Sequence, residues 1–576
     1  MGPTRKEPVD GTLPYYRRTA NRAGVAPVFR GRHDIGFRIV QAPMPETKPT
    51  APEPKAPLQF VKQNQRYAKT APDPKKPWFR RLVMLPIPPE NEPSEAIVAS
   101  GLNPALLGHN HSAGVTVCPN GDVLAIFFSA STPSSEYMSN TSFIAARRRF
   151  GSDRWEMPGL FYDFPDVNEQ SALLWTDGGT VRFFGGGAGL DGVPFRLQSS
   201  TDNGATWTPI EFPLLRGPIG AYAPQPITSV FRDRNGTIYM ATDAAGGSSV
   251  LWASDDNGVT WRDTGGRSAG RHTAFVLLKD GGILGIGGKN TNIDGYMPQA
   301  ISRDGGKTWT VSKSQFPALA SNQRPTIVRL ASGRLFFAGD WQDRKGKQPA
   351  GITQHGAYVA LSSDEGHTWK VKTLPETLPH EGYTLRGRKG WARSYGDFGT
   401  LGYTVAAQGP NGLIHLITSM NHPSLEFEMN EAWILSDSTS ETAAQAGTGK
   451  LLRGRDAYPD GKTKATWSGK IDSAGRYMLD GTETWFYENG AKEYEVAYAD
   501  GKKTGVETYW NPQGGKIWEW NHGADGTAAW TQYWPNGNRK HESQWRDEKC
   551  EGTAIAYSPS GAEVHRYEFH DGELKQ

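Results

Sequence analysis

SSTDNGATW, residues 199–207, returns three times along the chain: as ASDDNGVTW (253–261), ISRDGGKTW (301–309) and LSSDEGHTW (361–369). Each copy has a serine, an aspartate two residues later, then a glycine, a threonine and a tryptophan. Asp202, Asp256, Asp304 and Asp364 can each accept hydrogen bonds from backbone amides of their own turn. The glycine supplies the left-handed backbone that such a turn needs. Trp207, Trp261, Trp309 and Trp369 are then left to pack between neighbouring units. None of these roles touches a substrate, so the repeat reports architecture.

The four tryptophans are 54, 48 and 60 residues apart, and one step upstream RFGSDRW (149–155) is a degenerate copy. Apolar runs of strand length fill the intervals, among them GDVLAIFFS (121–129), TVRFFGGG (180–187), GTIYMATD (236–243) and GRLFFAGD (333–340). Most follow an Asn-Gly, Asp-Gly or Ser-Gly pair, a hairpin signal. A period of about 50 residues is that of four-stranded propeller blades. Residues 94–440 are therefore read as an all-β propeller of six blades, with room for a seventh.

The flanks differ. Residues 43–93 (APMPETKPTAPEPKAP and TAPDPKKP) are rich in proline and lysine and read as an extended linker. Residues 450–576 repeat a scheme of glycine, alternating small and aromatic residues, a turn and a second glycine. It appears in DGTETWFYENGAK (480–492), TGVETYWNPQGGK (504–516), DGTAAWTQYWPNGNRK (525–540) and EGTAIAYSPSGAE (551–563). That predicts a stack of β-hairpins whose aromatics, including Trp510, Trp518, Trp520, Trp530 and Trp534, pack across strands or line a glycan platform.

Bulk numbers exclude several classes. Sixty-three basic against 60 acidic residues leave a net charge of +3, so no nucleic-acid footprint is expected. No apolar run approaches the ~18 residues of a spanning helix. Cys118 and Cys550 give neither a metal-ligand spacing nor a disulfide framework, and no cofactor motif occurs.

On the four boxes and their spacing, residues 95–440 resemble the sialidase (neuraminidase) superfamily, in its bacterial BNR-repeat branch with Asp boxes. The resemblance implies a substrate site on the axial face, built from the stretches between boxes. In GHNHSAGVTVCPNGDVLAIFFSASTPSSEYMSN (108–140), His111-Ser112 and Glu136 match the first blade, and Glu136 stands where the family carries its general acid, normally an aspartate. His109 and His111, two apart on an extended segment, face one side and suit a proton-transfer base or a substrate clamp. Asn168 and Glu169 are candidate polar residues of the second blade. Arg271 and His272, Arg324 and Arg393 are candidates to hold a substrate carboxylate. Tyr403 is the positional match to the family's nucleophilic tyrosine, which pairs with a glutamate there; no partner glutamate is assignable here. The chain also lacks the family's Arg-Ile-Pro motif before the first blade.

Two smaller resemblances complete the reading. Residues 450–576 resemble MORN-type repeats, which implies a structural or protein-docking role. Residues 15–42, with Gly36-Phe37-Arg38, are similar to the end of formylglycine-generating (sulfatase-modifying factor) domains, a remnant spanning residues 1–42. That remnant implies a longer native chain and an extracytoplasmic, periplasmic or secreted protein. The expectation is a carbohydrate-active, exo-sialidase-like glycosidase on terminal or acidic sugars, with no cofactor and no metal. A polysaccharide lyase acting on uronates, and a non-catalytic propeller that binds glycan or protein, are the alternatives.

Overall fold

The computed structural model describes residues 60–575 apart from 87–93, 132–140, 165–166, 191, 320–322, 342–346, 354, 376–383, 386–400, 420, 423 and 444–446. Six antiparallel sheets form the blades of a propeller. Their first strands are His109–Val117, Gln170–Asp177, Tyr222–Arg232, Ala274–Leu277, Thr326–Arg329 and Val405–Gln408. Each first strand touches that of the next blade, and the sixth touches the first, so the ring is closed without a seventh blade.

Closure uses the segment read as linker. Phe79–Val83 pairs antiparallel with Leu425–Met429, from Phe79↔Met429 to Val83↔Leu425, and supplies the outer strand of blade 6. Phe60, upstream of it, stacks on Tyr494 of the C-terminal sheet with ring centroids 4.7 Å apart. The described part of residues 43–93 is therefore built into both folded bodies. Proline content hid this, because one five-residue strand is enough to close a ring and its apolar residues are few.

The four boxes are alike in atomic detail. In the first, Asp202 accepts bonds from Thr206 N (2.9 Å), Thr206 Oγ1 (2.6 Å) and Ser200 Oγ (2.7 Å), and Ser200 Oγ accepts from Gly204 N at 2.8 Å. Asp256, Asp304 and Asp364 repeat these bonds. Gly204 has φ +80°, and a Cβ there would also meet the Arg147 guanidinium at 2.9 Å, which is why glycine is kept. The tryptophans fill the seams between blades: Trp207 lies edge-on to Phe161 of blade 1 at 5.2 Å, and Trp369 to Phe316 of blade 4 at 5.4 Å.

The C-terminal region is a single 12-stranded antiparallel sheet running from Gly447–Ala457 to Glu573–Leu574. It docks on blade 1, where the degenerate box stands. Asp153, at the box position, binds Arg80 (3.0 Å) and Arg476 (2.5 Å) in place of its own turn. Arg149 pairs with Glu483, and Glu156 receives Lys503 at 2.7 Å. Trp545 donates to Ser100 O at 2.9 Å, at the end of the short helix Ser94–Ser100. The sheet's aromatics divide accordingly. Trp530 lies against Gly101 and Trp518 beside Tyr509, both turned to the rest of the protein, whereas Trp510 and Trp534 sit at the hairpin ends under Lys492 and Lys540. Cys118 and Cys550 are buried and unbridged, and burial pushes both thiols up to about 12. No described helix is long and apolar enough to cross a membrane.

Candidate functional site

The polar residues of the interior gather at one end of the ring, where the first strands begin. Three of these starts are bent by non-glycine residues in the left-handed region: Ser112 (φ +49°), Ser171 (φ +61°) and His272 (φ +57°). In blades 1 and 2 the pairing register also slips, between His111 and Gly114 and between Gln170 and Ala172. Such bulges re-aim side chains, and strained backbone of this kind concentrates at functional sites. Blade 6 reaches the same bend with Gly402 (φ +65°), where a Cβ would lie 2.3 Å from Ser419 O.

Tyr403 is at the centre. Its hydroxyl lies 3.0 Å from His272 Nε2 and accepts a hydrogen bond from Lys289 Nζ. The Arg324 guanidinium sits 5.1 Å from the centroid of its ring, and the His111 ring centroid is 4.0 Å away on another side. His111 Nδ1 lies 3.0 Å from Ser419 Oγ, which accepts the Tyr403 backbone N–H at 2.9 Å. The His109 ring lies beside that of His111, tilted against it with centroids 5.4 Å apart, so the two histidines share a side.

Behind His272 stands Asp243, on the second strand of blade 3. Its carboxylate accepts Arg271 Nε at 2.7 Å and the His272 backbone N–H at 2.8 Å, and lies 2.7 Å from His272 Nδ1. Burial opposes its ionisation, but His272 and Arg271 overcome that and hold the carboxyl down at about 2. Burial holds His272 down at about 4, with Asp243 opposing. The imidazole is thus neutral at pH 7. A proton on Nδ1 sits beside the Asp243 carboxylate, without the alignment of a full hydrogen bond, and Nε2 is then the acceptor for the Tyr403 hydroxyl. Arg271 Nη2 continues the network to Gln225 Oε1 (2.8 Å), and Gln225 Nε2 to Gln170 Oε1 (3.0 Å).

Arg324 is 1% exposed, and burial lowers its guanidinium to about 10 against the opposing pull of Tyr403 and Asp243. Nη2 donates to Ala113 O at 3.3 Å, while Nε and Nη1 have no hydrogen-bond partner among the described residues. A buried guanidinium with spare donors is costly unless an anion completes it.

The structure therefore brings together His109, His111, Arg271, His272, Arg324 and Tyr403 from four separate stretches of sequence. Glu136 and Arg393 lie outside the described residues. Asn168 and Glu169 are not on the axis. Asn168 donates to Thr141 Oγ1 at 3.0 Å, and Glu169 pairs with Arg196 at 2.9 Å in a cage of Phe143, Tyr162 and Phe164, where burial pushes its carboxyl up to about 8. The left-handed turn after Gln170 gives the axial role to Gln170 instead. Sequence reasoning missed Asp243 and Lys289. A lone carboxylate ending the apolar run IYMATD, and a lysine after a double glycine in IGGK, were the signals available.

One His/Glu group among the described residues has metal-like spacing: His415, Glu426 and Glu428. Arg148 closes it, with Nη2 at 2.6 Å from both glutamates, so a guanidinium stands where a cation would.

Boxes in the outer turns, six blades and a polar axial mouth define a BNR-type propeller. A family model described as BNR repeat-like domain matches residues 121–416, just over half of the 576-residue chain, and the protein belongs to that family. This places it in the sialidase-like propeller superfamily and leaves activity and substrate open. No curated protein sequence matches it. Among solved structures, a Dyadobacter fermentans protein of unknown function is similar at 16% identity, covering 62% of this chain and 100% of its own, with a TM-score of 0.44. A Hadza microbial sialidase is similar at 13% identity over 56% of this chain and 65% of its own, with a TM-score of 0.41. A point mutant of the NanB sialidase from Streptococcus pneumoniae is similar at 13% identity over 61% and 70%, also with a TM-score of 0.41.

Proposed function

We propose that the protein is a glycosidase acting on a carboxylate-bearing sugar at the axial mouth, with Tyr403 as nucleophile. The observation that carries this reading is the relay Asp243–His272–Tyr403, with Arg324 buried against the tyrosine. A hydroxyl bonded to a neutral imidazole, itself oriented by a buried carboxylate, is the arrangement of an activated nucleophile. His272 Nε2 takes the phenolic proton as the Tyr403 oxygen attacks the anomeric carbon. The glycosidic oxygen leaves with a proton from the general acid, assigned by sequence to Glu136. Water then releases the sugar by the reverse proton traffic. Arg324, with two spare donors, receives the substrate carboxylate, and Arg271, 38% exposed at its side chain, supports it from the rim.

A second reading has its own support. The Lys289 ammonium on the Tyr403 hydroxyl stabilises negative charge on that oxygen, and a phenolate so held can instead remove the proton α to a uronate carboxylate. The C–H electron pair then forms the double bond as the glycosidic oxygen leaves, and His111 is placed to protonate it.

Both readings are tested by one panel: fluorogenic glycosides of acidic sugars, and uronate polysaccharides followed by the ultraviolet absorbance of unsaturated products. Sugar release without absorbance supports the glycosidase, and absorbance supports elimination. Binding without turnover by the native chain, or turnover surviving in Tyr403→Phe, overturns the assignment of Tyr403 and leaves a glycan-binding propeller.

A further inference from the structure

Away from the axis, a cleft with a cavity volume of about 110 Å³ lies between the propeller and the C-terminal sheet. Trp155 from blade 1 and Trp520 and Trp545 from the sheet line it, with Arg154, His522 and Glu548. Trp520 and Trp545 meet edge to face at 5.4 Å. The indole N–H groups of Trp155 and Trp545 are already spent, on Glu426 Oε2 (2.7 Å) and Ser100 O (2.9 Å). What these rings offer the cleft is therefore apolar surface.

Glu548 makes the cleft more than a seam. It is the second residue of a two-residue hairpin turn, Asp547-Glu548, with φ +47° and +67°. The sister turns of the same sheet are Asp500-Gly501 (φ +49°, +82°) and Asp571-Gly572 (φ +53°, +84°). Glycine takes that conformation freely and a glutamate does not, so this turn is strained where its relatives are not. The strain delivers a carboxylate to the cleft. It stops 3.7 Å from Arg154 Nε, beyond hydrogen-bond distance, and both groups keep bonding capacity. Burial pushes the Glu548 carboxyl up, with Arg154 opposing.

The other charges are consumed among themselves. Lys503 bridges Glu156 and Glu507 at 2.7 Å each, and Glu507 also accepts from His522 at 2.7 Å. Arg149, 3.2 Å from Glu156, joins Lys503 opposite those two glutamates, Lys62 matches Glu483, and Arg154 balances Glu548, so the cleft has no surplus charge to draw a free ion. It offers apolar ring surface on one side and a carboxylate–guanidinium pair on the other. Those features match a neutral pyranose, whose C–H face covers an indole while its hydroxyls bridge acceptor and donor.

We propose that this cleft is a second carbohydrate site, which takes one neutral pyranose unit between the tryptophans and the Glu548–Arg154 pair. The claim is independent of the chemistry at Tyr403. The test is calorimetric and fluorescence titration of the full chain with methyl β-D-glucopyranoside, methyl β-D-galactopyranoside and their N-acetylamino counterparts, with tetramethylammonium chloride as a cation probe. Glu548→Gly restores the residue of the sister turns and so preserves the fold. The expected result is saturable binding of at least one pyranoside to the native chain and to Tyr403→Phe, weakened at least about tenfold in Glu548→Gly. Absence of pyranoside binding, affinity unchanged in Glu548→Gly, or preference for tetramethylammonium overturns the proposal.

Discussion

Asp243→Asn isolates the charge behind the relay while keeping the shape of the side chain. The asparagine oxygen can still accept the His272 backbone N–H, now at 2.8 Å, so the left-handed turn at His272 keeps its anchor. What disappears is a full negative charge 2.7 Å from His272 Nδ1. That charge matters when Tyr403 surrenders its proton and the buried imidazole becomes cationic beside Lys289. Two unit charges with centres about 4 Å apart interact by about 4 kcal/mol at an effective dielectric of about 20. At 1.36 kcal/mol per tenfold, the loss is about three powers of ten in turnover. Native turnover should fall away in acid only near the His272 value of about 4. Because Asp243 is what raises that value against burial, the acid limb of the variant should move lower still.

The assay is kcat and kcat/KM against pH on whichever acidic glycan the native chain turns over, with thermal melts to confirm folding. Arg271→Ala is the control, since Asp243→Asn also loosens Arg271. That arginine is 38% exposed at its side chain, and its removal should raise KM and move the acid limb slightly upward, opposite to Asp243→Asn, because its charge helps to hold His272 down. A folded Asp243→Asn protein within tenfold of native turnover, with an unmoved acid limb, would refute the relay.

Three further outcomes follow from the same geometry. Arg324→Met removes the buried donors and should raise KM about a hundredfold for a carboxylate-bearing glycoside, but leave a carboxyl-reduced analogue unchanged. Acid stability carries the His272 signature. Its folded value, about 4, lies below the usual 6.5, so the neutral form's stability is complete above pH 6.5 and drains as pH falls to 4, by about 3 kcal/mol. Denaturant titrations should show that slope in the native chain and a flatter one in His272→Asn, whose asparagine tolerates the left-handed backbone. Asp202→Ala removes a partly exposed turn clasp and should lower stability by about 1 kcal/mol, read by thermal melts, with kcat unchanged.

The propeller was legible because its signal is local and repeated. The Asp202 carboxylate and the Ser200 hydroxyl clasp Gly204 and Thr206 within a single turn, so one nine-residue window carries the whole motif, and four copies fix the period. The axial site is the opposite case. Tyr403 meets His272 across 131 residues and Lys289 across 114, on blades that only ring closure brings together. Sequence could nominate Arg324, Arg271 and His272 by their places before apolar strands, and Tyr403 by the family resemblance. Their partnership, and Asp243 within it, depended on left-handed turns at His272 and Gly402 that no composition reports.

The degenerate box shows how a failed repeat can itself be informative. RFGSDRW keeps the aspartate and the tryptophan, but not the serine two residues before the aspartate or the Gly-x-Thr that follows it. Without that threonine, Asp153 has no local donor of the usual kind, and its carboxylate turns to Arg80 of the closing strand and Arg476 of the C-terminal sheet. Those arginines, with Glu428 close to both, hold the carboxyl below its ordinary range despite burial. The same position that staples a turn in the other four copies here joins three segments far apart in sequence. A repeat that loses its local partners while keeping its charged residue marks a docking point, and in this chain it locates where the sheet that shapes the Glu548 cleft is attached.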